Sequence, residues 1–225
     1  MTCPTGHRYA DRVTLSHLVF DLDNTLYSPM RGVVERVDTA ITTFMVERLG
    51  MTAHDADALR ARYREELGTT LNGLMRHYAV APDEYLAYVH AIDVETLLAP
   101  DVALQTMLAA LPHAKVVFTN GSAAHAERVL ACLGVRDCFA DVYSLERGAY
   151  VAKPERGAFE SLLRALAVPA SRCLVIDDRV DNLRTAGMLG MRTLLVGNAT
   201  PPSGVDAAVA SVLDLPAALR AMETS

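Results

Sequence analysis

Five short apolar runs, at 18–20, 116–118, 140–143, 173–176 and 193–196, have the length and the polar boundaries of buried strands. From the second run onward, helix-length segments separate them. SAAHAERVLACLG brings Val129, Leu130 and Leu133 to one face and stops at Gly134, a residue type that closes helices in the left-handed conformation. KPERGAFESLLRALAVP puts Pro154 at a helix start, aligns Phe159, Leu162, Leu163 and Leu166, and halts before Pro169. This β-α-β-α rhythm predicts an α/β fold with a doubly wound parallel sheet. Such sheets bind ligands at the carboxyl ends of their strands, where the topology switches direction.

Between Tyr27 and Pro100 the rhythm breaks. Val34, Val37, Ile41 and Met45 recur at helical spacing, Leu71, Leu74 and Tyr78 do so again, and Leu86 with Val89 suggests a further helix. The segment is far longer than the dozen or so residues of an ordinary βα crossover. It reads as an all-helical insertion after the first strand, giving a core from 1–27 and 101–225 and a helical cap from 28–100. The segment DLPAALRAM predicts a short closing helix.

Apolar residues make up 51% of the 225-residue chain, enough for a substantial core. The formal net charge of -6 argues against a nucleic-acid partner, which needs a basic face, but leaves room for a small phosphorylated ligand. No run reaches the length of a signal peptide core or a membrane span, so a soluble, cytoplasmic protein without a membrane partner is expected. Cys3, Cys132, Cys138 and Cys173 form no metal-ligand spacing and read as reduced thiols; the seven histidines read as scattered surface or packed residues.

The chemistry gathers at the ends of the predicted strands. The first run closes in VFDLDNTLY, where Asp21 and Asp23 point to one face of an extended chain and repel each other. Thr119, Asn120 and Gly121 follow the second run at the start of a helix, where a hydroxyl and free backbone N–H groups suit an anion. Lys153 stands before Pro154, and Asp177 with Asp178 ends the fourth run, followed by Asp181 and Asn182. Oxygen ligands without paired His or Cys suit a hard cation such as Mg2+. A carboxylate held against that cation and a lysine can attack phosphorus, and a second can move the protons.

Asp21-Leu22-Asp23-Asn24-Thr25, Thr119, Lys153-Pro154 and Asp177-Asp178 resemble, in order, the four motifs of the haloacid dehalogenase superfamily, with the helical insertion at the position of that family's C1 cap. The resemblance implies Asp21 as nucleophile and metal ligand, and Asp23 as acid/base that lends its backbone carbonyl to the metal. It implies Thr119 and Lys153 on the transferring phosphoryl group, Asp178 completing the Mg2+ site, and Asp177 as a direct or water-bridged partner. The family's dehalogenases lack the second aspartate, so Asp23 argues for a phosphatase.

YREELGTTLNGLMRHYAV in the cap is similar to the pyrimidine 5′-nucleotidase group, matching its pattern at Tyr63, Gly68, Thr69, Thr70, Leu71, Gly73 and Leu74. That likeness implies Tyr63, Thr70 and Asn72 as cap contacts to substrate. Leu67 and Arg179 depart from the group, which often carries an aromatic and a serine there. The expected activity is Mg2+-dependent hydrolysis of pyrimidine nucleoside 5′-monophosphates. The alternatives are a phosphatase for another small metabolite, such as a sugar phosphate or phosphoglycolate, and a silent binding protein. The cap arginines Arg60, Arg62, Arg64 and Arg76 read as solvated.

Overall fold

The computed structural model describes residues 14–224, so Cys3 lies outside the described residues. Strands β1 (His17–Phe20), β2 (Ala114–Phe118), β3 (Asp141–Tyr143), β4 (Cys173–Asp177), β5 (Arg192–Val196) and β6 (Ala207–Val209) form one sheet in the order β3-β2-β1-β4-β5-β6. Every pairing is parallel. The sixth strand adds to the five expected. It is an Ala-Ala-Val edge in which only Val209 is buried, too short and too weakly apolar to stand out in sequence.

The chain leaves β1 for β2 and β3 on one side, then crosses back to β4 on the other. Their carboxyl ends therefore meet around the end of β1, at the switch point of the topology. Asp21 N donates to Ile176 O at 2.8 Å, which carries the β1–β4 pairing one residue past the strand and fixes the Asp21 backbone.

Four helices, α1 (Val33–Leu49), α2 (Ala53–Leu67), α3 (Thr70–Tyr78) and α4 (Pro82–Val89), fill the expected insertion. They bury a cluster of their own, including Phe44, Met45, Tyr63, Leu74, Tyr85 and Leu86, and close it on Leu145 and Ala152 below. Helix α2 turns Ala56, Leu59, Tyr63 and Leu67 to that cluster and buries Arg60 among them. Arg60 corrects the solvated reading of the cap arginines: it is buried and paired with Asp38, with its Nη1 2.6 Å from Thr42 Oγ1. Tyr78 also departs from its expected packed stripe and stands 44% exposed, while Leu71 and Leu74 are buried.

Around the sheet, α5 (Val102–Ala110), α6 (Ala123–Leu133) and α9 (Leu215–Thr224) cover one face, and α7 (Arg156–Leu166) and α8 (Val180–Met188) the other. Leu18 and Phe20 point into the first layer and Val19 into the second, so β1 is buried on both sides. Full burial of one such side chain stabilises the fold by about 1.5–3 kcal/mol. Gly134 closes α6 at φ 70°, as expected of it. Pro154, expected at a helix start, instead precedes α7 by two residues, because the Lys153 backbone is held outside the helix. Lys153 N donates to Asn120 Oδ1 at 2.8 Å, and Asn120 Nδ2 donates to Lys153 O at 2.9 Å. Among the described residues, no helix is long and apolar enough to cross a membrane, and Cys132, Cys138 and Cys173 are free thiols.

Candidate active site

Asp21, Asp23, Thr119, Asn120, Gly121, Lys153 and Asp178 line one cavity of about 350 Å³ at the switch point. Asp177 is fully buried beside them. Residues drawn from four separate stretches of chain thus meet because their strands are neighbours in the sheet.

Lys153 is the hub. Its Nζ donates to Asp21 Oδ1 at 2.7 Å, to Phe118 O at 2.7 Å and to Asp177 Oδ2 at 2.9 Å, which uses all three of its hydrogens. Burial works against its charge, but Asp177 and Asp21 outweigh it and hold its pKa above the ordinary lysine value. Asp21 Oδ2 accepts from Thr25 Oγ1 at 3.0 Å, so both oxygens of that carboxylate are fixed. Burial pushes the Asp21 carboxyl upward, with Lys153 pulling against it and Asp177 and Asp178 adding to it. Asp177 is held in turn by Asn182 Nδ2 at 2.9 and 3.0 Å and by Arg179 N at 2.9 Å.

Asp21, Asp177 and Asp178 each offer an oxygen within 4.8 Å of the others. One ammonium serves three carboxylates, and burial together with Asp177 raises the Asp178 carboxyl to about 6. This excess of negative charge, presented by oxygen donors alone, fits a hard divalent cation.

The acid/base candidate has different surroundings. Asp23 Oδ1 accepts from Tyr27 Oη at 2.5 Å and lies 3.0 Å from His125 Nε2. Burial opposes its ionisation, but His125 and Tyr27 outweigh that and hold the carboxyl below its ordinary value. The His125 ring stacks on His90 at 4.4 Å and 18°. Burial and His125 in turn bring His90, which lines the cavity, down to about 3. Sequence reading missed both histidines. The available signal was position: His125 is on the first turn of α6, four residues after Gly121, at the same end of the sheet.

The anion cradle differs from expectation at the helix N-terminus. Ala123 N is taken by the Glu146 carboxylate at 3.1 Å and His125 N by Ser122 Oγ at 3.2 Å, so α6 presents neither group to a ligand. Thr119 is the group left to receive an anion. Gly121 N donates to Thr119 Oγ1 at 2.9 Å, which leaves the hydroxyl hydrogen of Thr119 to point elsewhere. Glycine at 121 eases this close approach: a Cβ there would come 3.2 Å from both Thr119 Oγ1 and the His125 ring, a tight contact. The Asn120 side chain holds the Lys153 backbone, as described above.

The cap contacts divide. Thr70 lines a second cavity of about 180 Å³ under the cap, walled by Val37, Ile41, Tyr85, Leu86 and Val89 and sharing His90, Asn120 and Arg179 with the first. Asn72 bridges cap and core, donating to Leu67 O at 2.9 Å and Glu155 Oε1 at 3.0 Å. Tyr63 is corrected. Its ring packs inside the cap against Gly73, where a Cβ would meet ring carbon at 2.1 Å, and stacks on His77 at 5.5 Å.

Comparison with known proteins agrees with this geometry. The model of the haloacid dehalogenase-like hydrolase family matches residues 15–190. Phosphate metabolism protein 8 of Saccharomyces cerevisiae is 28% identical over 189 residues, 76% of this chain; the match spans 58% of that relative's length. Among solved structures, 2-haloacid dehalogenase from Pseudomonas syringae pv. Tomato DC3000 aligns at TM-score 0.60 and 21% identity, covering 93% of this chain and all of that one. A HAD phosphatase from Thermococcus onnurineus aligns at TM-score 0.61 and 16% identity, covering 91% of this chain and 98% of that one. With Asp21, Thr119, Lys153 and Asp178 in one cavity and a family model spanning most of the sequence, the chain belongs to the haloacid dehalogenase-like hydrolase family.

Proposed function

We propose that this hydrolase is a Mg2+-dependent phosphomonoesterase that works through a phosphorylated Asp21. The observation that carries the reading is the unequal treatment of two neighbouring carboxylates. Asp21 has both oxygens fixed on Lys153 and Thr25, as a nucleophile requires, while Asp23 sits in a separate proton-handling environment with His125 and Tyr27. Carbon–halogen hydrolysis would leave the second carboxylate without a task.

Asp21 attacks phosphorus, and the ester oxygen departs with a proton from Asp23. His125 and Tyr27 hold the Asp23 carboxyl low, and a phosphate ester, an anion beside it, raises the carboxyl so that the proton arrives with the substrate. Asp23 then takes a proton from the water that hydrolyses the intermediate. Thr119 donates to a phosphoryl oxygen, and Lys153 neutralises charge on Asp21 as it reacts. A divalent cation held by Asp21 and Asp178, with Asp177 beside them, would supply further neutralisation of the phosphate. The cavity beneath the cap, next to the phosphate site, is walled by apolar side chains such as Ile41, Leu86 and Val89 and by the polar Asp38, Arg64, Thr70 and Arg179. With the likeness of the cap segment to the pyrimidine 5′-nucleotidase group, it supports a ring-sized leaving group that carries polar atoms. Pyrimidine nucleoside 5′-monophosphates are therefore the favoured substrates.

A phosphate-release screen over nucleotides, sugar phosphates and phosphoglycolate, with Mg2+ and with a chelator, tests the reading. UMP and CMP should rank first and the chelator should abolish release. If they rank no higher than the rest, the nucleotide assignment fails and the phosphatase assignment stands. No release from any ester would favour a binding role.

A further inference from the structure

The two oxygens of Asp23 are not equivalent. Oδ1 receives both neighbours, Tyr27 Oη at 2.5 Å and His125 Nε2 at 3.0 Å. Oδ2 has no hydrogen bond among the described residues. It lies beside the phosphate cradle, where a Cβ built on Gly121 would come 3.8 Å from Asp23 Oδ2 and 3.2 Å from Thr119 Oγ1. A carboxylate held by a single oxygen on two donors from separate elements, the β1 loop and α6, loses rotation about its side-chain bonds.

The ring that does this is itself immobilised. The His125 side chain is 0% exposed, stacks on His90 and touches Gly121, whereas the Asp23 side chain it holds is 25% exposed. Nε2 faces an acceptor-only carboxylate, so it is the nitrogen that carries the hydrogen. The other ring nitrogen, His125 Nδ1, is buried with no partner, so Nε2 makes the ring's hydrogen bond.

We propose that His125 and Tyr27 are positioning residues that clamp Asp23 through Oδ1, making Oδ2 the atom that exchanges protons with the substrate. This rests on the phosphatase reading. In the first step an Asp21 oxygen bonds to phosphorus, the ester P–O bond breaks, and the Oδ2 proton goes to the departing oxygen. In the second, water bonds to phosphorus, the Asp21–phosphorus bond breaks, and Oδ2 takes the proton that water loses. Loss of the clamp lets the carboxyl turn away without removing it, so the penalty falls on leaving groups that need a proton.

The test compares kcat/KM for glycerol phosphate, whose alkoxide must be protonated, with p-nitrophenyl phosphate, whose phenolate leaves without help. The variants are Tyr27→Phe, which removes one hydroxyl, His125→Phe, which keeps a ring to stack on His90, and His125→Gln, which restores a donor. Tyr27→Phe and His125→Phe should each lose about tenfold or more on glycerol phosphate and about twofold or less on p-nitrophenyl phosphate. His125→Gln should recover part of the selective loss. Equal losses on both esters in the two Phe variants, or no loss in either, would overturn the clamp while leaving the phosphatase reading intact. If the wild-type protein releases phosphate from no ester, these two and the nucleotides included, the phosphatase reading and the clamp fall together. If it acts on nucleotides alone, the two Phe variants should lose about tenfold or more on UMP, and no loss there would overturn the clamp.

Discussion

Lys153 Nζ lies 2.7 Å from Asp21 Oδ1, and the pair joins residues 132 positions apart in sequence. Lys153 is the sole cation touching either Asp21 or Asp177 among the described residues, so two buried carboxylates depend on one ammonium.

Replacing Lys153 by Met should therefore act twice. Breaking a buried ion pair from one side destabilises by about 3–5 kcal/mol, because the partner charge is left unpaired. Thermal unfolding should show a large loss in chelator that Mg2+ partly restores, and phosphate release should fall at least about a hundredfold. Lys153→Arg should rescue neither, since a planar guanidinium cannot reproduce three bonds made by one tetrahedral nitrogen. An Arg variant with near-normal activity would contradict this account of the hub.

The carboxylate cluster also sets how metal and pH combine. In the metal-free fold, burial holds protons on Asp21 above the ordinary range and on Asp178 to about 6, whereas an unfolded aspartate releases its proton near 4. Above about pH 4 the folded state binds more protons than the unfolded one, so these two groups lose stability as pH rises. A divalent cation replaces the protons. The increase in melting temperature on adding Mg2+ should grow from pH 5 to pH 8, and reading the difference cancels His90, whose lowered pKa acts in the opposite direction below about 6.5. Asp23, held low, changes below this window. A shift that is flat or largest at the acidic end would be inconsistent with the cluster as described.

Gly73 gives a test of the cap. A Cβ there would overlap the Tyr63 ring at 2.1 Å, and the ring is enclosed. Gly73→Ala should cost about 1–3 kcal/mol in spite of the better helix propensity of alanine. Calorimetry of the pair Gly73→Ala and Gly73→Ala with Tyr63→Leu should show the second change recovering part of the loss. A single variant at least as stable as wild type would mean that the Tyr63 ring has room to move.

Much of the site was legible because its groups ride on a local pattern. Asp21, Thr119 and Asp178 come at the ends of apolar runs, and the parallel rhythm implies that such ends converge; Lys153 was marked by Pro154 beside it. The support around them was not legible. Tyr27 and His125 meet on one Asp23 oxygen from positions 4 and 102 residues away, and the signal for His125 was only its place four residues after Gly121. In the cap, the inner face of α2 was masked because a buried arginine, Arg60, interrupts Ala56, Leu59, Tyr63 and Leu67. The same helix explains why Tyr63 reads as a substrate contact: an aromatic beside a Gly-Thr-Thr turn resembles a binding residue until its packing partner, Gly73, is known. The partners of Ala123 N and His125 N at the N-terminus of α6 were not legible either, since Glu146 reaches the first from 23 residues away.

The central claim is that Asp21 becomes phosphorylated, and it can be read directly. Wild-type protein turning over p-nitrophenyl phosphate with Mg2+ would be quenched in acid, digested and examined by mass spectrometry, beside Asp21→Asn treated alike. The account predicts a phosphoryl group on the peptide carrying Asp21 in the wild type, and neither that group nor phosphate release in the variant. Phosphate release by Asp21→Asn at a rate near that of wild type would contradict it.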